Sequence, residues 1–229
     1  MNAQRSVRPA WPGYALAVLL VLSCSTLFAR HHHHANSATG TPGQFDYYLL
    51  TLSWSPSYCL SHQQDRAQCG GKGYGFVLHG LWPQFDAGNW PEFCSSDVTL
   101  PPDAVRIGNT LYPSPKLMEH EWQRHGTCSG LDAATYFRTA DKALAAVRLP
   151  SEFEAPHANQ SMTGSQIASE FRKANPSIPA DGLAVACGRG ELSEVRVCLT
   201  RDLTPRSCGH GVRNSCPGGP VDVPASRGH

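Results

Sequence analysis

Two short segments hold most of the side chains that could do chemistry. His120-Glu121-Trp122-Gln123-Arg124-His125-Gly126-Thr127-Cys128 puts two imidazoles, a carboxylate and a guanidinium within six consecutive positions. Phe76-Val77-Leu78-His79-Gly80-Leu81-Trp82-Pro83 carries a third histidine before a glycine that permits a sharp turn, then an indole held by Pro83. No serine stands in a nucleophile's context, and no set of ligands has metal-binding spacing. This inventory suits cleavage of RNA, where the 2′-hydroxyl is the internal nucleophile. The protein then supplies a base for that hydroxyl, an acid for the leaving 5′-oxygen and fixed charge around phosphorus. An exposed Trp82 offers a surface on which a base can stack.

At ~100° per residue, counting from His120, Arg124 falls near 40°, Glu121 near 100° and His125 near 140°, on the arc shared by Leu117, Met118 and Trp122. Lys116, Glu119 and Gln123 gather on the opposite side. The ionisable groups are thus expected to face inward, where unpaired charge is costly. A purely structural alternative is a buried network with Glu121 serving Arg124 and a histidine. Zinc fits poorly: His120-Glu121 begins like H-E-x-x-H, but the second histidine comes five residues after the first, and rings ~140° apart on a helix cannot pinch one ion. Cys128 as a nucleophile conflicts with its place in an even, exported cysteine set.

The elements that must position these groups follow from periodicity and capping. Strands are expected over Phe45 to Trp54, Tyr74 to His79, Ala184 to Cys187 and Val195 to Thr200. Helices are expected over Ser114 to His125, from an Asp132 cap to about Val147, and from a Thr163 cap to Ala174, where Asn175-Pro176 stops the last. Strands, then helices, then strands predict a single α+β domain with a largely antiparallel sheet packed against several helices and stapled by disulfides.

The chain has 229 residues. Arg5, Arg8 and the apolar run Ala15 to Leu22 read as a secretory signal, too short to span a bilayer, with a cut near Ala29. Residues 30–44, with the His31 to His34 tract, read as a flexible leader; the tract is either solvated or able to hold a transition metal. Residues 45–216 form the domain, and the Pro- and Gly-rich residues 217–229 read as a flexible tail. Removing Arg5 and Arg8 from 19 Lys+Arg leaves 17 against 18 Asp+Glu, a balance of −1. That excludes a polybasic nucleic-acid coat protein. Of nine cysteines, Cys24 lies in the signal, where Leu22 and Ser23 make a poor lipobox. The other eight read as four disulfides in an oxidising compartment.

The two segments resemble the active-site signatures HGLWP and HEWxKHGTC of the ribonuclease T2 family, secreted endoribonucleases of low base specificity. The similarity extends to Trp54-Ser55-Pro56-Ser57-Tyr58-Cys59, to Tyr112-Pro113-Ser114 and to Leu192-Ser193-Glu194-Val195-Arg196-Val197-Cys198. The resemblance implies His125 as general base, His79 as general acid, His120 on the phosphate, and Glu121 and Arg124 steadying the transition state. Arg124 replaces the family's usual lysine, keeping charge but changing its shape. Gln84 replaces the family's common Asp near the Trp82 base site, and Pro113 and Ser114 match positions lining a second base site. The substrate implied is single-stranded RNA, cut to 2′,3′-cyclic phosphate ends and then to 3′-phosphates by an exported, periplasmic or extracellular monomer. It needs no cofactor or metal and no membrane after signal removal. The alternative is a secreted binding protein on the same scaffold that has lost catalysis; the five polar residues in place argue against it.

The cysteines' positions relative to the expected elements predict the pairs Cys59–Cys69, Cys94–Cys128, Cys187–Cys198 and Cys208–Cys216. Cys187–Cys198 would join the ends of two neighbouring strands. Cys94–Cys128 would tie the loop after Trp82 to the end of the histidine-bearing helix, a long loop that the family pattern supports.

Overall fold

The computed structural model describes residues 40–154 and 156–226; the expected signal, the His31 to His34 tract and the rest of the leader before Gly40 lie outside them. The elements run β1 (Tyr47–Trp54), α1 (Ser55–Ser61), α2 (Arg66–Cys69), β2 (Phe76–Gln84), α3 (Pro102–Leu111), α4 (Pro115–Arg124), a 3₁₀ turn (Gly126–Cys128), α5 (Ala133–Ala145), α6 (Ser151–Glu154), β3 (Gln160–Met162), α7 (Gly164–Ala174), β4 (Leu183–Gly188), β5 (Glu191–Leu199) and β6 (Val221–Val223). This is the expected α+β arrangement around one sheet.

That sheet has six strands in the order β2-β1-β5-β6-β3, with β4 also pairing β5. Pairing is antiparallel apart from the β5–β6 contact at Glu191 and Asp222. Alternation sends Leu50, Leu52, Val195 and Val197 to the helix-packed side, where they meet Tyr136, Phe137, Ile167 and Phe171, all fully buried. The other side carries a smaller cluster, Tyr47, Leu49 and Cys198, flanked by Trp82, Cys208 and Val212.

The expected caps at Asp132 and Thr163 hold, and Ser114, the expected start of its helix, proves to be a cap as well. Ser114 Oγ accepts from Leu117 N at 3.2 Å and Asp132 Oδ1 from Thr135 N at 2.9 Å, while Thr163 and Gln166 form a reciprocal capping box that starts α7.

Two expectations are corrected. The pairs Cys59–Cys69 and Cys94–Cys128 form as read, but the other four cysteines pair Cys187–Cys216 and Cys198–Cys208. The reason is register. In the β4–β5 hairpin Cys187 stands opposite Leu192, next to the turn, whereas Cys198 lies beyond the Leu183–Val197 pair at the far end. Six strand positions, ~20 Å, separate it from the residue facing Cys187, far more than a disulfide spans. The second correction concerns residues 217–229. Within them Val221–Val223 is a strand pairing β3 and touching β5, with Val221 and Val223 buried in the core. Burial of two valines and ladder bonds outweigh the Pro and Gly around them.

Candidate active site

His79 owes its position to an irregularity in β2. Gly80 pairs with Thr51 and Leu78 with Leu52, which leaves His79 as an extra, unpaired residue. A bulge of this kind re-aims a side chain and resets the alternation. Leu78 therefore faces the core while His79 and Gly80 turn to the side carrying Trp82 and Leu49. Gly80 has a steric duty as well, since a Cβ there would stand 2.0 Å from Glu121 Oε2 and 2.2 Å from Trp82 Nε1. Only glycine leaves room for that contact.

Helix α4 delivers the second set. Met118, Glu121 and Trp122 are its buried residues, and His125 is its C-cap, with its N–H donating to Glu121 O at 3.0 Å. The chain then turns sharply at Gly126, where a Cβ would lie 2.4 Å from the Trp122 ring. The 3₁₀ turn and the Cys94–Cys128 disulfide hold this end, and Cys94 N donates to Thr127 Oγ1 at 3.1 Å.

His79, Trp82, Glu121, Arg124 and His125 line one cavity of about 220 Å³, with His120 at its edge. Trp82 is the hub: its indole N–H donates to Glu121 Oε2 at 2.7 Å, its ring stacks on His125 at 5.0 Å and 25°, and His79 meets it edge-on at 5.1 Å. It is half-buried instead of the exposed platform expected. Glu121 Oε1 lies 3.8 Å from His79 Nε2. Arg124 does not pair with Glu121, as the structural alternative required. It pairs with Glu92, Nε to Oε1 at 2.8 Å. The inward arc also splits: Glu121 and His125 are buried, Arg124 is half-buried and His120 is exposed, because the arc's edge meets the open cleft and not the sheet.

Burial pulls His79 down, but its hydrogen bond to Glu194 and the charges of Glu121 and Glu194 more than offset that and the repulsion of Arg196, so its pKa stands above the ordinary histidine value. His125 goes the other way, to about 2, through burial and then the positive charge of Arg124, His120 and His79. Burial, Arg124 and His79 also lower His120. Burial raises Glu121 to about 7, against the pull of His79, the Trp82 N–H and Arg124. Of the cavity's histidines, His79 is thus pushed toward the charged form while His125 and His120 are pushed toward the neutral one.

The base-binding positions scatter. Gln84 lines the same cavity but is buried, with Nε2 donating to Pro83 O at 3.0 Å. Ser114 serves as the α4 cap and lines a second cleft, of about 710 Å³, with Tyr58, His62, Lys116 and His120. Pro113 stands before that cap, outside both linings. His120 therefore forms the ridge between two hollows. Among the described residues no group of three or more His, Cys, Asp or Glu gathers as a metal site.

Trp90, Glu92 and Arg196 of the lining, and Glu194 behind His79, were not among the expected site residues. Trp90 is 47% exposed and donates its indole N–H to Glu92. Glu194 and Arg196 stand two apart on β5 in a stretch that resembles the family, and opposite charges at that spacing share a face of a strand, a signal that could have singled them out.

Residues 45–208 match the model of the ribonuclease T2 family. The chain belongs to that family. It is 43% identical over 121 residues to a ribonuclease of Aeromonas hydrophila, covering 53% of this chain and 55% of that one. It is 28% identical over 178 residues to a probable ribonuclease of Haemophilus influenzae, covering 71% and 61%. The chain thus spans little more than half the length of these relatives. Among solved structures, an RNase-related protein from Calystegia sepium superposes with a TM-score of 0.64 at 22% identity, over 80% of this chain and 98% of that one, a likeness of fold.

Proposed function

We propose that the protein is a metal-independent endoribonuclease acting on single-stranded RNA. The observation that carries this reading is that His79 and His125 both pack against Trp82 in one cavity, in surroundings that push the first toward the charged form and the second toward the neutral one. Neutral His125 takes the proton of the 2′-hydroxyl as its oxygen attacks phosphorus. Charged His79 gives a proton to the departing 5′-oxygen, so the P–O5′ bond breaks as the 2′,3′-cyclic phosphate closes. In the slower second step the roles reverse: His79 accepts a proton from water, and His125 returns one to the 2′-oxygen as the ring opens to a 3′-phosphate. Glu121, Arg124 and His120 surround the phosphoryl oxygens and stabilise the charge that develops there.

The two hollows meeting at His120 suit the bases on either side of one scissile phosphate. Exposed Trp90 supplies the stacking surface that half-buried Trp82 lacks. The disulfides and the N-terminal signal support export, to a periplasm or beyond the cell.

The test is to incubate the protein with RNA and a chelator. Products ending in 2′,3′-cyclic phosphate are expected, with DNA spared because it lacks the attacking hydroxyl. Metal-dependent cutting or 5′-phosphate ends would overturn the reading.

A further inference from the structure

We propose that Glu194, held in turn by Arg196, is the positioning residue of His79, fixing which of its nitrogens faces the substrate. The inference rests on the reading of His79 as a proton-transfer group. Glu194 is buried, and both its oxygens are engaged: Oε1 lies 2.7 Å from His79 Nδ1, and Oε2 accepts from Arg196 Nε at 2.8 Å and Nη2 at 2.6 Å. An ionised carboxylate can only accept, so the bond requires the proton to sit on Nδ1 of His79. Nε2, the nitrogen nearer Glu121, is left to exchange its proton with substrate.

The contact reaches across the sheet. Strand β1 lies between β2, which carries His79, and β5, which carries Glu194 and Arg196. The β1 residues opposite Glu194 and Arg196 are Ser53 and Thr51. Both are short, and two strand spacings, ~9.6 Å, are crossed by the long side chains of β5 meeting the imidazole above them. Large residues at 51 and 53 would block that path. An ion pair serving only to hold strands together has no need to reach past an intervening strand, since β1 already bonds to both neighbours. The bulge leaves the imidazole loosely held: His79 keeps 32% of its side chain exposed and has no ladder partner of its own, so its ring orientation depends on side-chain contacts.

The groups that face this imidazole are Glu121, with His120 and His125, from the α4 side, Glu194 and Arg196 from β5, and Tyr58 and Asp65 across a small hollow. Among them only Glu194 touches Nδ1 in the contacts described. Arg196, whose guanidinium also lies 5.8 Å from the Trp82 ring, keeps that carboxylate ionised and oriented.

The test compares Glu194→Gln and Arg196→Gln with wild type, using imidazole NMR of His79 and pH–rate profiles on RNA. In Glu194→Gln the His79 titration is expected to move to lower pH, the limb of the rate profile that reports His79 to move with it, and the His125 limb to stay. The neutral ring is expected to lose its preference for the Nδ1–H tautomer. Turnover is expected to fall at least about tenfold, short of the ~10²- to 10⁴-fold cost of removing the imidazole itself. Arg196→Gln, which leaves the carboxylate in place, is expected to shift the same signals less and keeps the question answerable if Glu194→Gln does not fold. His79 resonances and a rate limb that superimpose on wild type in both variants would overturn the proposal. Near-normal cleavage by His79→Ala would instead remove the reading of the site, and this proposal with it.

Discussion

The two sides of the sheet use the same strands for opposite purposes. On the helix-packed side Leu50, Leu52, Val195 and Val197 need nothing but apolar neighbours, and any residue of similar shape and polarity would serve. On the cleft side Gly80, His79, Glu194 and Arg196 each depend on specific partners, in several cases at hydrogen-bond distance. Strand alternation, together with the β2 bulge that keeps His79 on the cleft side, separates the apolar packing from the polar cluster proposed to do the chemistry, residue by residue.

If the division is sound, the largest effect on cleavage should come from the cleft side with the fold unharmed. His125→Ala is expected to lower turnover on RNA and on a 2′,3′-cyclic nucleotide by ~10²- to 10⁴-fold, with a far-UV spectrum like that of wild type. Near-normal turnover on either substrate would break the comparison at its catalytic end.

The next largest effect tests the opposite side. Phe171 is fully buried against Phe76 and Phe153. Phe171→Ala is expected to destabilise by about 3–5 kcal/mol in denaturant titrations while leaving the pH–rate profile of the folded fraction unmoved. A displaced rate limb would mean that the core tunes the site, against the separation drawn above.

Gly80 lies on the seam. Its missing side chain makes room for Glu121 and Trp82, so Gly80→Ala should overpack a charged contact and cost about 1–3 kcal/mol of stability together with activity. A variant stable and active as wild type would show that Glu121 can retreat without consequence.

These contrasts also explain what the sequence could reveal. Helices α4, α5 and α7 announce themselves through local signals, the last two through the caps at Asp132 and Thr163, and the arc of α4 already placed Glu121 and His125 with the apolar residues. The bulge at His79 was invisible because period-two alternation reads the same up to the point where it breaks. Glu194 lies 115 residues from His79 in sequence, and only pairing through β1 brings them together. The disulfides divide on the same line. Cys59 and Cys69 enclose a short local loop, whereas choosing among the last four cysteines required the hairpin register. Strand β6 was hidden by its Pro- and Gly-rich surroundings, since three residues are too few to show a period.

The smallest expected effect is a cancellation, and its signs follow from the two buried groups of α4. Glu121 rises from 4.5 to about 7 in the folded chain, so between those values the folded state holds a proton that the unfolded state has released, and stability falls as pH rises. His125 drops from 6.5 to about 2, so across that window the unfolded state holds the extra proton and stability climbs with pH. From pH 4.5 to 6.5 the two slopes oppose, each about 1.4 kcal/mol per pH unit for one proton. Other groups act mainly at the borders. Raised His79 contributes stability that is complete below 6.5 and lost as pH rises through its folded pKa; lowered Glu194 contributes stability present above 4.5 and lost as pH falls through its own; lowered His120 adds a climb near 6.5. Wild type is therefore expected to show a melting temperature nearly level over this window. Glu121→Gln removes the falling slope and leaves that of His125, so the variant's melting temperature should climb with pH across the same range. Parallel curves for the two proteins, measured at pH 4.5, 5.5 and 6.5 in one buffer series, would show that Glu121 is ionised throughout and that its carboxylate meets the phosphate as an anion.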